Sequence, residues 1–168
     1  MKTLITTSVV LLLCLSTTQA RNGTKQRWGV GARYHVEHDS EREVPFDDVT
    51  TYGIVYEYHE RGTFWQLGLQ YGTEIGGVDV DYVLTPEINL MLTDGAWRGG
   101  IGALSTYVKV DDESDWSDVY YQFILGFDMP LGSTILSIQA NYAFEDFDKL
   151  DEFDFDELDW VGYLMYEF

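Results

Sequence analysis

The chain has 168 residues, of which 29 are acidic and 10 basic, giving a formal net charge of −19. A surface of that sign repels nucleic acid and anionic headgroups, so attraction to either through charge alone is excluded. Aromatic residues make up 15% of the sequence, which also excludes the aromatic-poor composition of a disordered acidic chain.

Residues 1–20, "MKTLITTSVVLLLCLSTTQA", have Lys2 near the start, an apolar run over residues 9–15 and small or polar residues up to Ala20. That is the layout of a secretory signal peptide, with an apolar run too short to span a bilayer. Leu13 before Cys14 is bulky where a lipoprotein signal needs a small residue. Cleavage after Ala20 leaves residues 21–168 as one domain without a cysteine, exported to an oxidising compartment.

From Arg27 onward, apolar residues recur at every second position, the period of a strand. "RWGVGARYHVEH" sets Trp28, Val30, Ala32 and Tyr34 against Gly29, Gly31, Arg33, His35 and Glu37. "TYGIVYEYHE" sets Tyr52, Ile54, Tyr56 and Tyr58 against Gly53, Glu57 and His59. "TFWQLGLQYG" sets Trp65, Leu67, Leu69 and Tyr71 against Gln66, Gly68 and Gln70. The fourth segment, "VDYVLTPEINLMLT", sets Tyr82, Leu84, Ile88 and Leu90 against Asp81, Thr85, Glu87 and Asn89. Pro86 interrupts it, and a bulge or a break is expected there because proline removes a ladder hydrogen bond. "WRGGIGALSTYV" places Arg98, Gly100 and Gly102 opposite Trp97, Ile101 and Ala103. "VYYQFILGFD", "TILSIQANYAF" and "WVGYLMYEF" complete eight segments.

Short turns of the Gly/Pro/Asp kind, "ERG", "DGA" and "MPLG", alternate with longer acidic connections starting at Asp39, Glu74, Asp111 and Glu145. Eight alternating segments joined in this way predict an all-β fold, an eight-stranded antiparallel up-and-down barrel with short turns at one end. Which face is wet follows from residue size and charge. Arg33, His35, Glu37, Glu57, His59, Asp81, Glu87 and Arg98 share the glycine-rich face. The other face is nearly uncharged and dominated by aromatic and aliphatic side chains. Eight strands enclose a space just wide enough for side chains, so the small and ion-paired face is expected inside and the bulky wall outside, against lipid. Trp28, Tyr58, Trp65, Trp97, Tyr107 and Trp160 fall near strand ends, where aromatic girdles meet a bilayer's interfaces.

The sequence closes on "GYLMYEF", in which Gly162, Leu164, Tyr166 and Phe168 alternate and an aromatic residue stands last. This resembles the C-terminal assembly signal of bacterial outer-membrane barrels, and the whole pattern resembles the small eight-stranded barrels of the OmpA/OmpX type. The resemblance implies a transmembrane β-barrel in the bacterial outer membrane. It also implies contacts with outer-membrane lipid and lipopolysaccharide, and handling by the barrel assembly machinery.

No cofactor is expected. "HDS" at residues 38–40 resembles the His-x-Ser pair of lipid A deacylase barrels, but here Glu41 and Arg42 follow it and it reads as a polar run leading into a loop. The acidic stretch from Glu145 to Asp159 nears EF-hand spacing, yet Asp151 stands where that loop requires glycine, so no built metal site is expected. The sequence-level expectation is a non-catalytic outer-membrane scaffold whose acidic loops serve surface interaction, adhesion or envelope integrity. Cationic or divalent-ion contacts would fall on those loops. The alternative is a lipid A-modifying enzyme, an acyl hydrolase or transferase. A porin-like channel is disfavoured, because Arg33, Arg98 and interior carboxylates would plug so narrow a lumen.

Overall fold

A computed structural model describes residues 24–36, 46, 48–76, 78–111, 113–147 and 155–168. Residues 1–20, read above as a signal peptide, and Glu37, His38 and Ser40 lie outside them. Among the described residues strands form over all eight alternating segments and on part of one acidic connection: β1 (Thr24–His35), β2 (Val49–Glu60), β3 (Thr63–Ile75), β4 (Val78–Asp94), β5 (Trp97–Leu104), β6 (Tyr107–Val110), β7 (Glu113–Trp116), β8 (Tyr120–Leu131), β9 (Thr134–Phe144) and β10 (Asp159–Glu167). Eight of them close an antiparallel barrel in the order β1–β2–β3–β4–β5–β8–β9–β10, with β10 pairing back to β1.

The stagger of this barrel can be traced rung by rung. Partners run from Thr24 through Glu60, Thr63, Leu92, Gly99, Leu125, Ala140 and Trp160, and return to β1 at Tyr34, ten residues from the start. Eight strands with that shear must tilt by about 40° and leave a lumen that side chains fill.

Three two-residue turns sit at one end of the barrel. Arg61 and Gly62 both take positive φ, 50° and 87°, the pairing whose twist matches a hairpin. Gly95 and Gly132, at φ 64° and 70°, open the other two. The connections at the opposite end differ from the expectation in two places. "EIGG" is no long connection: Ile75 pairs with Val78 around Gly76, and the residues before and after it prolong β3 and β4. The acidic connection after Asp111 folds as the β6–β7 hairpin, which pairs with β4 from Tyr82 to Leu84.

Pro86 neither bulges nor breaks its strand, since β4 runs unbroken from Val78 to Asp94 with Leu69 opposite Pro86. The carbonyl of Pro86 accepts from Ser105 N at 3.4 Å. Its missing N–H therefore faces the same neighbour, where the partner strand is interrupted between β5 and β6. The break lies across from the proline rather than in its own strand. The register irregularity lies nearer the loop end, where Thr73 of β3 spans the extra residues 80–82 of β4.

Close approach requires several glycines inside the wall, Gly31 among them. A Cβ on Gly31 would collide with the carbonyl oxygen of Gly162 and lie 2.5 Å from Tyr163 Cδ1, whereas a Cβ on outward-facing Gly162 would meet nothing within 4 Å. We expect Gly31→Ala to cost about 1–3 kcal/mol, as overpacking does, and Gly162→Ala to cost little. Urea midpoints of the two variants refolded in detergent would separate them.

Candidate functional site: a polar column inside the barrel

Inward side chains from all eight staves meet in a continuous polar column. Toward the turn end its hub is Glu57, fully buried on β2. Its carboxylate accepts from Arg98 Nη1 at 2.7 Å, Arg98 Nη2 at 3.1 Å and Gln66 Nε2 at 3.0 Å, and His59 Nε2 lies 2.9 Å away. The Arg98 guanidinium stands 4.7 Å over the Phe64 ring, on which His59 also stacks at 4.2 Å. Asp128 Oδ1 lies 3.0 Å from Arg98 Nε, a charge contact too bent for a hydrogen bond. Arg27 links Asp128, at 3.1 Å, to Glu167, at 2.9 Å.

Neutral amides bridge the middle. Asn89 Nδ2 donates to Gln66 at 2.9 Å, and Gln122 Nε2 donates to Asn89 at 2.8 Å and to Glu87 at 3.1 Å. Tyr163 OH accepts from Gln70 Nε2 at 2.7 Å and donates to Glu87 at 3.2 Å.

Toward the loop end, Arg33 Nη2 lies 2.8 Å from Asp159 Oδ2, and Arg33 Nη1 reaches Glu87 at 3.5 Å. His35 Nδ1 is 3.2 Å from the same Asp159 oxygen, and its Nε2 is 3.1 Å from Thr51 Oγ1. Phe46 stacks on His35 at 4.4 Å and is itself buried, closing this end of the column.

Of the residues expected inside, Arg33, His35, Glu57, His59, Glu87 and Arg98 all belong to this column; Glu37 is outside the described residues. Asp81 is a correction. It is exposed and accepts from Lys109 Nζ at 3.2 Å, lying beyond Val83, the last described buried residue of β4 toward the loop end. Asp128 and Asp159 were missed as partners, although each continues the inward parity of its strand, Asp128 with Gln122 and Gly126, Asp159 with Val161 and Tyr163. Leu164, Tyr166 and Phe168 face outward and are exposed, and Phe168 N donates to the Gln26 carbonyl at 3.1 Å.

The order Asp159, His35, Thr51 has the spacing of a proton relay, but Thr51 is buried. The cleft beside Arg33 and His35 holds about 30 Å³, which is room for roughly two waters and not for an acyl chain. The arrangement therefore suits a structural seal better than hydrolysis. No family model matches the chain, and neither a search of curated proteins nor a search of solved structures finds a match.

Removing one partner of a buried pair leaves the other charge uncompensated, at about 3–5 kcal/mol. We expect Arg98→Ala to lose that much stability in chemical denaturation. The double variant Arg98→Met with Glu57→Leu should recover most of it, since it leaves no lone charge.

Proposed function

We propose that this chain is a non-catalytic barrel of the bacterial outer membrane, exported by its N-terminal signal and displaying acidic loops on the cell surface. The observation that carries the reading is a pair of aromatic rings on the outer wall. Trp28 and Tyr34 on β1, Tyr58 and Tyr52 on β2, Trp65 and Tyr71 on β3, Phe127 and Tyr121 on β8, and Tyr166 and Trp160 on β10 stand six residues apart within each strand. Once the stagger is unrolled, the members of each ring fall within about two residues' height of one another. Six residues on tilted strands put the rings roughly 15 Å apart. Val30, Ile54, Leu67, Leu125 and Leu164 stand exposed between them.

The interior supports the same reading. Arg27, Glu57, Arg98 and Asp128 lie level with one ring, Arg33, His35 and Asp159 with the other, and Gln66 and Asn89 between. Charge is thus held near the two interfaces and neutral amides near the bilayer centre, where an ion costs most. A lumen so filled suits a scaffold rather than a pore, and leaves function to the loop end. There Asp111, Glu113, Asp115, Glu145 and Asp146 accompany exposed Trp116 and Phe147, a surface that attracts cationic ligands with a range of roughly 8 Å at physiological salt.

Two experiments test this. Changing Tyr166 and Phe168 together to serine should remove the protein from the outer-membrane fraction; normal, heat-modifiable barrels there would contradict the reading. Replacing residues 149–156 with a Gly/Ser linker should leave assembly intact and reduce binding of cells to basic ligands. An altered lipid A acyl pattern on deleting the protein would favour the enzyme instead.

A further inference from the structure

If the wall faces lipid, its height is not uniform. The two aromatic rings span only roughly 15 Å, against about 25 Å for the usual apolar band of a membrane barrel. On β8 the outward series does not stop at Phe127 but continues through Met129 to Leu131, both exposed, at the tip of the β8–β9 hairpin. Leu131 to Tyr121 is ten residues, which restores about 25 Å on tilted strands. The tip residues 129–136 carry no charge. Four and two staves away in strand order, the other turns are polar: Glu60, Arg61 and Thr63 join β2 to β3, and Asp94 ends β4. Counting around the barrel, the β2–β3 hairpin is diametrically opposite the β8–β9 hairpin. On β4 the extension runs the other way, from Leu92 past the upper ring to Tyr82, whose ring packs on Tyr107 at 6.0 Å, with Trp116 beyond at 5.2 Å.

We propose that the barrel sits tilted in its bilayer, with the β8–β9 turn sunk among acyl chains while the β2–β3 turn stays in water. This rests on the membrane reading and adds a specific lipid-contact surface, Met129, Leu131 and Leu136. Lipid is the occupant because the patch continues the lipid wall without a polar break and because an uncharged turn has nothing to hold it in water. A partly inserted turn also fixes which flank thins the surrounding bilayer, namely that of β2, whose outward apolar series is bounded by Thr50 and Glu60.

The test uses single cysteines in a Cys14→Ser background, at Leu131, Arg61 and mid-wall Leu67, each carrying a small fluorophore. The labelled protein is reconstituted into phosphatidylcholine vesicles containing acyl-brominated lipid. We expect the labels at Leu131 and Leu67 to be quenched to a similar extent and the label at Arg61 to be quenched several-fold less. Quenching at Leu67 with Leu131 as unquenched as Arg61 overturns the tilt and leaves the membrane reading standing. No quenching at Leu67 overturns both. Label–label self-quenching at Leu131 that disappears on dilution with unlabelled protein would assign the patch to a second copy of this chain and overturn the lipid assignment.

Discussion

Glu57 has no exposed surface, and the groups around it show what the rest of the molecule is built to satisfy. A carboxylate removed from water is tolerated only when paired and hydrogen-bonded. Here Arg98, Gln66 and His59 come from three other positions on the wall to do both. They can converge because eight strands with a ten-residue shear bring opposite walls within one side chain's reach. The same geometry leaves little room for water in the lumen, so most described inward positions are polar, small or, like Phe64 and Met91, packed beneath the polar groups. Once the interior is fixed in this way, the bulky residues have only the outer wall to occupy.

A solute crossing the lumen would have to displace Arg98, Gln122 and Arg33 from their partners in turn. The small cleft under Phe46 and Tyr120 has room for roughly two waters. In the proposed reading the barrel is a frame, and recognition falls to connections that a frame can hold in place. The β6–β7 hairpin is the clearest of these: Tyr107 and Trp116 pack against each other beside Asp111 and Asp115, joining an aromatic contact surface to a negative field.

Much of this was legible in the sequence for one reason: strand period assigns every residue to a face, and the two faces differ in both size and charge. Arg33, Glu57, His59, Glu87 and Arg98 could be placed inside without knowing any contact. Their partners were harder. Asp128 and Asp159 lie at the limits of the alternating segments, and only the register between adjacent strands shows that Asp128 meets Arg98 and Asp159 meets Arg33. Pro86 misled for a related reason. Local propensity marks a broken hydrogen bond but cannot say that the neighbouring strand is already absent at that rung. Asp81 keeps the inward parity but lies beyond Val83, the last described buried residue of β4, which alternation alone does not reveal. The β6–β7 hairpin was hidden because β7, paired with β6, has a loop's acidic composition.

The central claim is that an apolar wall meets lipid while a matched polar column seals the lumen. Magnetisation transfer in phosphatidylcholine nanodiscs tests both halves at once. The account predicts contacts between acyl methylenes and Val30, Ile54, Leu67, Leu125 and Leu164, while the side-chain amides of Gln66, Asn89 and Gln122 contact neither lipid nor bulk water. Water contacts along the outer wall, or rapid solvent exchange through those three amides, would contradict it.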